Sequence, residues 1–68
     1  MTKNEFQKRH YHYRTMSEKE AKKEAMKVNK EGIEGDRAVA IKFADLGWAL
    51  MLASAASFAE KAGIIPKQ

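Results

Sequence analysis

The chain has 68 residues, 44% of them apolar, with 13 Lys/Arg against 9 Asp/Glu, a net charge of +4 and no cysteine. One domain at most fits this length, and a solitary core is marginal because so short a chain buries only about 60% of the surface it exposes when unfolded. Disulfide staples and thiolate zinc sites are excluded; the composition suits a reducing cytoplasm, and the positive balance suits nucleic acid or an acidic protein surface.

Residues 1–16 read as an N-terminal arm with charges but no apolar stretch of the secretory type. Its most distinctive feature is RHYHYR at residues 9–14. As a strand, Arg9, Tyr11 and Tyr13 would face one way and His10, His12 and Arg14 the other. As a helix, Asn4 would cap and Phe6, His10 and Tyr13 would share a face. Two same-face histidines are too few for zinc, and no third histidine or cysteine exists, so no metal is expected. The bland expectation is aromatic packing with the charges in solvent. The functional one is an exposed contact, with Arg9 and Arg14 held outward by Tyr11 and Tyr13.

Residues 17–31 read as an amphipathic helix. Ser17 and Glu20 have capping-box spacing, with Thr15 and Glu18 as a competing start, and Gly32 supplies the stop. Ala21, Ala25 and Val28 form a narrow apolar face; Lys19, Lys23, Lys27 and Lys30 lie opposite it. Glu18 and Lys22 make a favourable i,i+4 pair. The ridge of Lys19, Lys23 and Lys27 is the second candidate partner-binding surface. Glu20, Glu24 and Glu31 interrupt it, which is the habit of an ordinary solvated helix.

The short link EGIEGD at residues 31–36 favours an antiparallel hairpin. Asp36 is a good N-cap for a second helix over residues 36–62, ended by Gly63 with Ile64 folded back on the last turn. Residues 63–68 are a tail. Such a helix would be about 39 Å long against about 21 Å for the first. Its uncharged run, residues 46–59, would span about 21 Å and falls short of the ~30 Å needed to cross a bilayer. Ile41, Phe43, Trp48, Leu52 and Phe58 are the expected core and dimer seam, and Ala49, Ala53, Ala56 and Ser57 would permit close approach. The expected architecture is therefore an all-α helical hairpin, dimerised through its long helix because the short one cannot cover it. The competing arrangement is a monomer with residues 1–14 folded over the exposed face.

No catalytic constellation is visible. Ser54 and Ser57 have no histidine on the same element, Lys42 and Asp45 read as a surface pair, and no paired titratable groups line a cleft. A non-enzymatic protein without a cofactor is expected.

The segment HYHYRTMSEKEAKKEAMKVNKEG and the alanine-rich second half resemble the small accessory proteins encoded between exo and xis in lambdoid bacteriophages. The resemblance covers most of the chain but carries no motif with defined chemistry, and no site residue transfers from it. It implies an early phage protein of the bacterial cytoplasm that tilts the choice between lytic growth and lysogeny and disturbs the host cell cycle. The function expected is regulation through binding a host or phage protein. The alternative is a small nucleic-acid-binding protein using the N-terminal arm and the lysine ridge.

Overall fold

The computed structural model describes residues 1–10, 16–44 and 47–68. Its elements run α1 (Lys3–His10), α2 (Glu18–Glu31), β1 (Ala38–Lys42), β2 (Trp48–Leu52) and α3 (Ala53–Lys61). This α+β fold overturns the all-α hairpin. The single helix expected over residues 36–62 is instead a β-hairpin followed by a nine-residue helix.

Both N-terminal helices begin on local signals. At α2, Ser17 Oγ accepts from Glu20 N–H at 3.2 Å and donates to Glu20 Oε1 at 3.1 Å. Thr2 and Glu5 repeat the device at α1, with Glu5 N–H donating to Thr2 Oγ1 at 3.1 Å. Thr2, and not Asn4, is therefore the cap of α1. Arg9 and His10 close α1, so that end of RHYHYR is helical. The Phe6 and His10 rings meet at a tilt of 37° with centroids 4.8 Å apart. Gly32 stops α2 as expected, its N–H donating to Val28 carbonyl at 3.0 Å.

The hairpin reverses between Phe43 and Gly47, where Phe43 N–H donates to Gly47 carbonyl at 2.7 Å. Gly47 has φ +94, a conformation that L side chains rarely adopt. Its antiparallel register pairs Ala38 with Leu52, Ala40 with Leu50 and Lys42 with Trp48. Helices cover both sheet faces. On one, Ala38, Leu50 and Leu52 pack with Phe6 of α1, Ala25 and Val28 of α2, and Ile33. On the other, Ile41 packs with Ala56 and Ala59 of α3 and with Ile65, flanked by Val39, Phe43 and Met51.

That sandwich explains the failed expectation. A strand buried on both faces shows no polar alternation, so its apolar run cannot be told from a buried helix by periodicity. β2, WALML, is also rich in good helix formers, and tertiary packing overrides their propensity.

The free edge of β1 is clamped at both ends by side-chain amides. Asn29 of α2 accepts from Ala38 N–H at 2.6 Å and donates to Ala38 carbonyl at 2.9 Å. Gln68 does the same to Lys42, at 3.0 and 3.2 Å. Each amide imitates a missing strand, which blunts an edge otherwise open to foreign pairing. On β2, Met16 and Trp48 exchange backbone hydrogen bonds of 3.0 and 3.1 Å.

Asp36 does cap a helix, though not the one expected. Leu52, at the start of α3, offers no side-chain cap. The Asp36 carboxylate supplies it, accepting from Ser54 N–H at 3.3 Å and from the Ser54 hydroxyl. α3 ends in a Schellman turn, with Ile64 N–H donating to Ala59 carbonyl at 2.8 Å and Gly63 N–H to Glu60 carbonyl at 3.2 Å. Ile64 does not fold back on the helix; it is 70% exposed, and Ile65 packs inward instead. No helix among the described residues is long and apolar enough to cross a membrane.

Candidate functional site

Three elements meet around an open groove of about 760 Å³. Its floor is Met16 with Ala49 and Leu50 of β2; α2 contributes Glu20, Lys23, Glu24 and Lys27, and the last turn of α1 adds Arg9 and His10. Helical spacing puts the four α2 charges on one side, at i, i+3, i+4 and i+7. They face β2 because Ala21, Ala25 and Val28 turn the rest of that helix into the core.

The charges of the groove are unequally committed. Arg9 pairs with Glu31 at 3.6 Å, tying α1 to the end of α2. Lys22, outside the groove, pairs with Glu18 at 2.6 Å and stands 5.8 Å from the centre of the Trp48 ring. The Lys22 hydrogen bond and charge hold the Glu18 carboxyl below its usual range. Among the described residues the remaining ion pair is Lys3–Asp36 at 3.8 Å, so Lys23 and Lys27 enter none. Two uncommitted ammonium groups beside an apolar floor can receive carboxylates flanking an apolar side chain. Glu20 and Glu24 in the same wall repel a continuous run of phosphates.

Of the residues singled out for partner binding, Arg9, Lys23 and Lys27 come together here. Lys19 is exposed on α2 but does not line the groove. Tyr11, Tyr13 and Arg14 lie outside the described residues. The strand-derived floor has no signal in a sequence where no strand is expected there; Glu20 reads as the capping-box partner of Ser17, and Glu20 and Glu24 both read as interruptions of the ridge.

The expected core and dimer seam is dispersed. Ile41 is buried on the α3 side of the sheet, with Phe43 beside it, while Leu52 is buried on the α2 side. Trp48 is half-buried. Phe58 points outward from α3 and is 70% exposed. The physical reason is the alternation of strand side chains, which sends neighbours on a helical wheel to opposite faces of a sheet. No protein-family model, no curated protein and no solved structure matches the chain.

Proposed function

We propose that the protein is a non-enzymatic binding module whose groove between α1, α2 and β2 receives a segment of another protein, one carrying acidic groups beside an apolar anchor. The observation that supports this reading is the pairing of uncommitted Lys23 and Lys27 with a floor of Met16, Ala49 and Leu50. The likeness to the exo–xis accessory proteins supplies the setting. In that setting the partner is a host or phage protein in the bacterial cytoplasm, and binding influences lytic against lysogenic development.

The test compares the wild-type protein with Lys23→Glu/Lys27→Glu as baits in bacterial lysate, with quantitative mass spectrometry of what each retains. A partner held by the wild type and lost from a variant of unchanged circular dichroism is the expected result. Equal retention by both, or none by either, overturns the reading.

Arg9, Lys23 and Lys27 converging on one groove also favours the nucleic-acid alternative. Glu20 and Glu24 weigh against it. Electrophoretic shifts with single- and double-stranded DNA and RNA at low salt separate the two, and an absent shift removes the alternative. The exposed Phe58 supports a homodimer, for which sedimentation equilibrium is the measurement; a species of 7.7 kDa refutes it.

A further inference from the structure

A second concavity, separate from the groove and independent of the function proposed for it, lies between the end of the hairpin and the C-terminal tail. It is an open depression of about 370 Å³, whose described lining is Trp48, Ala44 and Lys42 of the hairpin with Pro66, Lys67 and Gln68 of the tail. That volume falls in the range of small-molecule sites. The tail wall is held in place: Ile65 is buried against α3, and the Gln68 amide is bonded to both backbone groups of Lys42 and to Pro66 carbonyl at 2.7 Å.

The chemistry of this cleft differs from that of the groove. Its walls combine one large aromatic ring with two ammonium groups, and none of the described residues lining it carries a carboxylate side chain. Glu18, whose carboxyl feels the charge of Lys42, is already paired with Lys22 at 2.6 Å. An indole presents a face on which a planar ring stacks, and neighbouring lysines hold an anionic group attached to that ring. We propose that the cleft binds a free aromatic anion of the nucleoside-monophosphate type, its ring against Trp48 and its phosphate toward Lys42 and Lys67.

Trp48 is the chain's single tryptophan, so one indole N–H signal in a 1H–15N NMR spectrum reports the site. The probes are adenosine monophosphate, adenosine, inorganic phosphate and a short single-stranded oligonucleotide. Expected is a saturable shift with adenosine monophosphate at a Kd of about 1 mM or tighter, and binding of adenosine weaker by about tenfold. Phosphate alone leaves the indole signal in place. Lys42→Ala/Lys67→Ala keeps the remaining spectrum and weakens adenosine monophosphate by about tenfold. The proposal is overturned if adenosine monophosphate gives no saturable shift, if adenosine binds equally well, or if the double variant binds as the wild type does. An oligonucleotide that moves the signal where the mononucleotide does not overturns it too. Should the double variant fail to fold, Lys67→Ala alone, on the exposed tail, carries the comparison.

Discussion

The two faces of the β-sheet are covered by different means. The face under α1 and α2 is closed by helices that carry their own caps, Thr2–Glu5 and Ser17–Glu20, and by Phe6, the largest ring buried among the described residues. The face under α3 is closed by a short alanine-rich helix with no cap of its own. Ties from distant residues hold it: Asp36 to Ser54, Gln68 to Lys42, and Ile65 against Ala59 and Ile41. Local signals suffice where a helix is long and amphipathic. Where it is short, long-range ties take their place, and those ties have no signature in the neighbouring sequence.

Removing one buried anchor from each face tests that contrast. Phe6, 3% exposed, joins α1 to the α2 side of the sheet, and Phe6→Ala should cost about 3–5 kcal/mol in urea unfolding. For so small a domain that approaches the whole stability. Ile65→Ala on the opposite face should cost less, about 2–3 kcal/mol. Hydrogen exchange should then show α3 opening while α2 stays protected. Equal loss of protection in both helices would show that the two faces unfold as one unit. Trp48 is only half-buried, so its truncation should cost less than that of Phe6.

Next in size is the clamp on β1. Asn29→Ala leaves Ala38 N–H and carbonyl without their amide partner, which should cost about 1–3 kcal/mol. It also uncovers strand edge, so sedimentation should detect more self-association than in the wild type. Ser17→Ala, confined to one helix end, should cost about 1 kcal/mol and fray only the first turn of α2.

These differences also mark what could be read from the sequence. α2 was legible, with its cap, its Ala21, Ala25 and Val28 face, its Glu18–Lys22 pair and its stop at Gly32, because each signal lies within four residues of its partner. α1 was legible in principle, since Thr2 and Glu5 repeat the spacing of Ser17 and Glu20. The hairpin was not, because β1 and β2 are apolar on both sides. Gly47 was the available warning, a glycine placed mid-helix by the periodic reading that the chain uses at φ +94. The same blindness hid half of the groove: Lys23 and Lys27 were visible as a ridge, whereas Ala49 and Leu50 become a floor only once β2 lies beside α2.

The smallest effect distinguishes the faces by pH. Hydrogen bonds from Ser54, chiefly its hydroxyl, from Arg37 N–H, and the charge of Lys3 hold the Asp36 carboxyl below its ordinary value of 3.8. A carboxyl lowered in the folded state stabilises the fold above its unfolded value and ceases to do so as pH falls through the folded one. On acidification below about pH 4, α3 should therefore lose its borrowed cap. Glu18 is lowered by Lys22 and weakens in the same sense, but that pair is an exposed one on a helix whose cap, Ser17, does not titrate. Amide exchange across this range should thus rise first in the opening turn of α3, with α2 following. Asp36→Asn should remove most of the early α3 response and leave that of α2 unchanged. If the Asn variant retains the full α3 response, another carboxyl governs this face, and the role of Asp36 as a through-space cap is lost.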